Sequence, residues 1–128
     1  MRMMSFALTE RQLMDGTKTV TRRTGWQTLK RGDRLLAVRK AMGLKPGEKI
    51  QPLCEIEILA VDRVHLFDIT PQDVVDEGFP EWFDRPQEFV EMFCKAMRVK
   101  STDEVTRIEF RKVPGTERVA VQQGLTLT

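Results

Sequence analysis

The sequence Gly-Thr-Lys-Thr-Val-Thr-Arg-Arg occupies residues 16–23 and concentrates one lysine, three threonine hydroxyls and two arginines in eight positions. Burying so many polar groups costs free energy unless they are paired, so such a cluster is typical of a functional site. A hydroxyl beside an amine provides a nucleophile with its base. The same groups also donate hydrogen bonds to phosphates and base edges of nucleic acids. Catalysis and binding are both open at this point.

The residues around this stretch predict its local structure. Thr9 is typical of a helix N-cap and Gly16 of a helix stop, which predicts a short helix between them. The β-branched residues in 17–23 predict an extended segment. On a regular strand Lys18 and Thr21 point to opposite faces of the sheet. They meet at one site only if Lys18 lies in the turn after the glycine, or if a bulge intervenes.

Hydrophobic periodicity predicts the remaining elements. A helix is predicted from the capping residue Thr70 and Pro71 to the stop at Gly78, and a longer helix follows Asp84. The order of elements predicts an α+β fold, a small mixed β-barrel with short flanking helices. Alternating or continuous apolar residues predict strands at 3–8, 34–38, 53–61 and 105–113.

The last turn of the helix at 70–78 breaks an electrostatic rule. Asp76 and Glu77 lie at the negative end of the helix dipole, where a carboxylate costs a few tenths to about 1 kcal/mol. A broken local rule can mark a functional position. Two acids that are simply solvated at the surface are the alternative.

The composition predicts one globular domain. Its 128 residues are enough to bury a core, with the domain at 1–113 and a C-terminal tail or edge strand at 114–128. No apolar run reaches the roughly 18 residues of a membrane helix, so we expect a cytoplasmic monomer without a membrane partner. Cys54 and Cys94 lack metal-ligand spacing and His65 has no second histidine, so we expect no metal ion and no cofactor.

The net charge of +2 hides a strong asymmetry along the chain. Residues 17–49 contain ten basic and two acidic residues, whereas residues 50–104 contain five basic and thirteen acidic ones. A concentrated basic region is typical of a polyanion-binding surface, and nucleic acid is its usual partner. A solvated face without a partner is the alternative. Residues 41–49 predict an exposed basic loop, either an ordinary hairpin connection or a segment that moves over a ligand.

The residues Gly16 and Lys18 with Arg23 resemble the Gly-x-Lys-x-x-x-x-Arg signature of the ASCH domain family, which has a PUA-like β-barrel with a binding cleft. The resemblance covers residues 1 to about 113. Within the family, the chain resembles small bacterial amidohydrolases that act on N(4)-acetylcytidine with a lysine, a threonine and a glutamate. The resemblance implies that Lys18, Thr21 and Glu77 fill these roles.

The implied chemistry is acyl transfer. Thr21 is then the nucleophile, a neutral Lys18 is the base, and Glu77 exchanges protons with the leaving amine. Neighbouring arginines and partial burial would lower the pKa of the lysine, as a base requires. The residues expected to bind the ligand are Arg22, Arg23, Lys30 and Arg31 on phosphates or an oxyanion, and Trp26 and Phe79 against a base.

Two other functions use the same cleft. A non-catalytic module would hold RNA or a modified base with these residues, and a ribonuclease would use the lysine and glutamate for acid–base chemistry. The chain also departs from the amidohydrolases in its loop at 41–49, its aromatic loop at 78–83 and its tail. The expected partner is therefore a nucleoside or RNA, with the exact ligand open.

Overall fold

The computed structural model describes residues 1–118, which form an α+β fold. The prediction of an edge strand around Val119 and Val121 concerns residues outside this range. Short 3-10 turns lie at Leu66–Asp68 and Pro80–Trp82. In chain order, the elements are β1 (Met3–Ser5), α1 (Glu10–Asp15), β2 (Val20–Arg23), β3 (Arg34–Val38), β4 (Pro52–His65), α2 (Pro71–Asp76), α3 (Pro86–Met97) and β5 (Glu104–Lys112).

The five strands form one mixed sheet in the order β1-β3-β4-β5-β2. β1 runs parallel to β3, and the other neighbouring pairs are antiparallel. The predicted α+β class is confirmed, but within residues 1–118 the sheet stays open rather than closing into a barrel. The two edge strands have only three and four residues, too few for the long staggered ladder that closure needs.

β4 is the longest strand and pairs with both β3 and β5. A register shift between Ile58 and Ala60 marks a β-bulge against β5. The sequence predicts a strand at 53–61 and a continuation of its pairing through Val64, Leu66 and Phe67. Val64 lies in β4 and pairs with Val105, as predicted. Leu66 and Phe67 lie instead in the 3-10 turn that leads to α2.

Two clusters of buried side chains pack on the sheet. One packs α1 against the middle of the sheet, and the other packs α2 and α3 against the far ends of β4 and β5. The first contains Met4, Phe6, Leu13, Leu29, Leu35, Ala37, Leu53, Cys54, Ile56, Ile58, Ile108 and Phe110; the second contains Leu66, Ile69, Val74, Phe89, Val90, Phe93 and Val105.

The helix ends follow local sequence signals. Thr70 and Asp73 form a reciprocal capping box at the start of α2, where the threonine was predicted as the cap. Gly16 ends α1 in the left-handed conformation, also as predicted. Thr9 occupies the N-cap position of α1, but its side chain makes no capping hydrogen bond, because its backbone lies outside the extended region that aims a capping side chain. No helix within residues 1–118 is both long and apolar enough to cross a bilayer.

Candidate functional site

A cavity of about 220 Å³ lies beside the start of β2, the end of α2 and one face of α3. This is smaller than the roughly 300–1,000 Å³ of sites for drug-sized ligands, so it suits about one ring system with a short substituent. The polar lining comprises Ser5, Thr9, Lys18, Thr21, Arg22, Arg23 and Glu77, and the apolar wall includes Phe6, Leu8, Phe79, Phe89, Met92, Phe93 and Met97.

The connector between α1 and β2 delivers Lys18 to this cavity. Lys18 lies before the strand begins, and its backbone N–H donates to the carbonyl oxygen of Gln12 at 3.0 Å. The next residue, Thr19, donates its backbone N–H to the carbonyl of Asp76 at 2.8 Å. Lys18 thus occupies the turn after the glycine, which is the condition that lets it share a site with Thr21. Both side chains line the cavity.

Glu77 follows α2 and is buried, with 2% of its surface exposed. Lys18 Nζ donates to Glu77 Oε1 at 3.0 Å and to its backbone carbonyl at 2.8 Å, and Arg22 Nη1 donates to Oε2 at 3.0 Å. These two cations offset the unfavourable placement of a carboxylate at the helix C-terminus. Glu77 is therefore part of a buried ion cluster, and the solvated-acid alternative does not apply to it.

Arg22 extends the ion cluster to α2 and β5. Its Nη2 donates to Asp73 Oδ2 at 3.0 Å, and Arg107 donates to Oδ1 of the same carboxylate from Nη2 at 3.1 Å. Burial raises the pKa of Asp73, but attraction by Arg22, a backbone hydrogen bond from Thr70 and the pairing with Arg107 bring it below its usual value. Arg22 Nε is buried without an acceptor among the described residues. The terminal nitrogens of Arg22 hold carboxylates in place, although the residue was predicted to contact the ligand.

Thr21 and Arg23 lie two residues apart on β2 and touch each other. Thr21 is 3% exposed, and its Oγ1 accepts a hydrogen bond from Arg23 Nε at 3.0 Å. The Arg23 guanidinium also stacks over the Phe6 ring at 4.9 Å. Burial lowers the pKa of Arg23 to about 10, with attraction by Glu77 in opposition. A cation that donates to a hydroxyl oxygen stabilises negative charge there, which favours a nucleophilic role for Thr21.

Burial also sets the charge state of Lys18. Desolvation lowers its pKa, attraction by Glu77 opposes this, and repulsion from Arg23 and Arg22 adds to the lowering. The net result is a pKa below the ordinary value for lysine. The amine can therefore lose its proton more easily than an exposed lysine, which suits a general base.

The other predicted ligand contacts divide between the cavity and the outer surface. Phe79 lines the cavity and stacks on Trp82 with ring centroids 4.8 Å apart. Trp26 lies elsewhere, packed on the first cluster beneath the guanidinium of Arg2. Lys30 and Arg31, the remaining two, are exposed in the turn before β3 and do not line the cavity.

Sequence reasoning missed three residues that build the site. Asp73 carries the local signal of a capping residue, and its pairing with Arg22 and Arg107 joins segments 51 and 34 residues away. Arg107 lies in the predicted strand at 105–113, where alternation alone gives no sign of its pairing with Asp73. Gln12 accepts the Lys18 backbone N–H, and its side chain donates to the carbonyl of Gly78 at 3.3 Å. No local pattern reveals the side-chain contacts of these three residues, because they join distant parts of the chain.

Two crystal structures share the fold of this chain. An ASCH domain from Lactobacillus crispatus aligns with a TM-score of 0.59 and 14% identity over 87% of this chain and 78% of that one. A protein from Enterococcus faecalis described under the family DUF984 aligns with a TM-score of 0.60 and 15% identity over 87% and 72%. The sequence matches no family model and no curated protein. These likenesses confirm an ASCH-like fold, and at such identity they show the fold alone.

Proposed function

We propose that the protein binds a nucleoside, or an unstacked base of RNA, and hydrolyses an amide on the exocyclic nitrogen of cytosine, with N(4)-acetylcytidine as the simplest substrate. The observation that carries the proposal is the convergence of Lys18, Thr21 and Glu77 on one cavity with an aromatic wall. Apolar walls with a few converging polar groups are typical of small-ligand sites. The ASCH-like fold supports an RNA-related ligand by analogy of fold.

The first half-reaction transfers the acyl group to the protein. Thr21 Oγ1 attacks the amide carbonyl, and its proton passes to the neutral amine of Lys18. Because Lys18 Nζ lies 3.0 Å from Glu77 Oε1, the proton can continue to Glu77 and then to the leaving nitrogen. Cytidine leaves, and the acetyl group remains on Thr21. Arg23 stabilises the negative charge that develops near the attacking oxygen.

The second half-reaction restores the protein. A water molecule attacks the acyl carbon, and Lys18 with Glu77 accepts the proton that the water loses. Collapse of the intermediate releases acetic acid, which keeps the second proton of the water, and the proton held by Lys18 and Glu77 returns to Thr21. The whole sequence consumes one amide and one water and yields one amine and one carboxylic acid.

One observation favours a non-catalytic binding module as the second candidate. Within residues 1–118, both hydrogen bonds of Lys18 Nζ go to Glu77, and Thr21 Oγ1 accepts from Arg23. The proposed base and nucleophile are therefore not bonded to each other before a ligand arrives. Catalytic hydrogen bonds often form only in the complex, so turnover has to decide between the two functions.

The test measures release of cytidine from N(4)-acetylcytidine by chromatography, with wild type, Thr21→Ser and Thr21→Val compared. Serine keeps the hydroxyl, whereas valine keeps the shape without it. We expect wild type and Thr21→Ser to turn over and Thr21→Val to lose at least about 100-fold in kcat, with ligand affinity retained. If Thr21→Val were as active as wild type, the assignment of Thr21 as the nucleophile would be refuted. If wild type binds N(4)-acetylcytidine without turnover, the protein is a non-catalytic binding module. If it cleaves labelled RNA, the protein is a ribonuclease.

A further inference from the structure

Arg23 differs from the other cations at the cavity in its partners. Lys18 and Arg22 both pair with Glu77, and Arg22 also reaches Asp73. Within residues 1–118, no carboxylate lies at ion-pair distance from Arg23, whose only side-chain acceptor is the neutral hydroxyl of Thr21. The cavity therefore carries an excess of positive charge, and the excess lies on Arg23.

The surroundings of Arg23 make this excess costly for the protein alone. The half-buried guanidinium lies over the Phe6 ring in a largely apolar wall, and partial desolvation of a charge that has no carboxylate at ion-pair distance is unfavourable. The lowered pKa of Arg23 reflects the same desolvation. With Nε engaged by Thr21, the two terminal nitrogens have no acceptor among the described residues. A guanidinium fork matches the paired oxygens of a carboxylate or phosphate.

We infer that the ligand of this cavity carries an anionic group, a carboxylate or a phosphate, that the terminal nitrogens of Arg23 bind. This inference deepens the proposed function and rests on it for the identity of the base. It narrows the substrate from neutral N(4)-acetylcytidine to a compound with a negative charge beside the reacting amide.

The position of Arg23 favours the acyl group as the carrier of that charge. Arg23 Nε lies 3.0 Å from Thr21 Oγ1, the proposed nucleophile. An anion on the terminal nitrogens therefore lies next to the carbonyl under attack. A carboxylate at the end of a short acyl chain reaches this point, whereas a ribose 5′-phosphate lies at the opposite end of the base from the acylated nitrogen. The substrate class is an N-acylated base whose acyl group ends in a carboxylate.

A different role for Arg23 makes a different prediction. If Arg23 only stabilised the oxyanion of the transition state, its loss would lower kcat. The ratio of the affinity for anionic ligands to the affinity for neutral ligands would then be the same in the variant as in wild type. An anion-binding role changes that ratio directly. Equilibrium binding is thus the decisive measurement.

The test uses two analogues that lack the carbonyl group and therefore cannot be hydrolysed, N(4)-(3-carboxypropyl)cytidine and N(4)-butylcytidine. The chain on N(4) ends in a carboxylate in the first compound and in a methyl group in the second. Isothermal titration calorimetry gives the ratio of their affinities. We expect wild type to favour the carboxylate by about tenfold to a hundredfold. The ratio should fall to about one in Arg23→Gln and recover in part in Arg23→Lys, which restores charge without the fork. Arg11→Gln, which replaces an exposed arginine outside the cavity, should keep the full ratio.

A second pair, cytidine 5′-monophosphate and cytidine, tests a phosphate in the same way. The inference is overturned if wild type binds the anionic and the neutral member of both pairs with equal affinity. It is also overturned if a folded Arg23→Gln variant keeps the wild-type preference for the anionic member. The wild-type ratios decide the matter even if that variant does not fold. A preference of wild type for the monophosphate alone, lost in Arg23→Gln, would support the anion site and move its ligand to the ribose. If no cytidine compound binds, the proposed function fails separately. Succinate and inorganic phosphate then test the anion site, which stands if Arg23→Gln abolishes their binding and falls if neither binds.

Discussion

Lys18 is a buried amine placed between one carboxylate and two guanidinium groups. Desolvation lowers its pKa, Glu77 opposes that effect, and Arg23 and Arg22 reinforce it. The carboxylate has a second role, because it accepts a hydrogen bond from Nζ and orients the amine. This combination yields a lysine that is both held in place and easier to deprotonate than usual, and no single neighbour produces it.

The pH dependence of turnover follows from this environment. Neutral Lys18 is the active form in the proposed reaction, and its lowered pKa makes that form available at lower pH. We therefore expect kcat/KM to rise with pH along a limb whose apparent pKa lies below about 10.4, the ordinary lysine value. A pH–rate profile from about pH 6 to 10 measures this limb. The control is Lys100→Met, which replaces an exposed lysine outside the cavity. A limb at the ordinary lysine value, or one that persists in Lys18→Arg, would contradict the assignment.

Gly78 has two structural roles, of which the sequence reveals one. Its φ of +104° suits a helix stop, and a Cβ at this position would lie 2.9 Å from both Cβ and Cγ of Gln12. We expect Gly78→Ala to lower the free energy of unfolding by roughly 2–4 kcal/mol, from backbone strain and steric overlap together. Gly47→Ala is the matched control, since its φ is +83° with nothing within 4 Å; it should cost only about 1 kcal/mol. Urea denaturation compares them, and equal losses would exclude the steric contribution.

At the scale of elements, α2 and the residue that directly follows it present two carboxylates four residues apart, so both project towards β2. Asp73 caps the helix start and pairs with Arg22 and Arg107, while Glu77 pairs with Lys18 and Arg22. A helix of six residues is not stable alone. Its packing and these ion pairs hold it against the sheet, so the site and the helix stabilise each other.

Replacing Asp73 tests this coupling. We expect Asp73→Asn to lower the free energy of unfolding by roughly 2–4 kcal/mol near neutral pH, because buried Arg22 loses one of its carboxylates. The pKa of Asp73 is lowered, so its contribution is complete above the unfolded value of about 3.9 and is lost as the pH falls through the folded value. The difference from wild type should therefore shrink from about pH 5 towards pH 2. Urea denaturation across this range measures it.

The control for Asp73 lies on the same helix. Asp76 accepts a hydrogen bond only from Gln72 among the described side chains, so Asp76→Asn should change the free energy of unfolding by less than about 0.5 kcal/mol. If the loss in Asp73→Asn stayed constant with pH, the effect would come from capping or packing rather than from charge.

Local patterns were enough to predict much of this architecture. The cap at Thr70, the stop at Gly16 and the strand at 34–38 all follow from the nearest few residues, whereas for Lys18 the sequence left a turn and a bulge both open. Backbone preferences and periodicity act over one or two turns, so a single sequence contains them. The convergence of Lys18 and Glu77, 59 residues apart, was reached only through the resemblance to the ASCH family.

Long-range pairing explains what local patterns could not predict. Arg22 was expected on a phosphate, but carboxylates 55 and 51 residues away hold its terminal nitrogens. The open sheet is another case, because the sequence of elements does not state how strand edges meet. Lys30 and Arg31 belong to the same basic region as Arg23 yet lie outside the cavity. Charge density along a chain predicts a surface character and does not say which residues share a site.

At the scale of the whole molecule, the cavity lies where the two buried clusters meet. Phe6 of the first cluster and Phe89 and Phe93 of the second line it together. β5 joins the clusters, since Ile108 belongs to the first and Val105 to the second. The arrangement of the site therefore depends on both clusters being packed on the shared strands.

Shared strands predict that the two clusters unfold together. Trp26 packs on the first cluster and Trp82 on the second, and the chain has only these two tryptophans and no tyrosine. Trp82→Phe and Trp26→Phe therefore each leave one fluorescent reporter, on one cluster. We expect fluorescence and far-ultraviolet circular dichroism to give coincident urea transitions within each variant, because neither cluster keeps its sheet surface once β4 and β5 separate.

A bound ligand should raise the urea midpoint of each variant, since the ligand contacts walls from both clusters. A fluorescence transition that precedes the dichroism transition in either variant would show that its cluster unfolds independently, and the cavity would then lose one wall before the other.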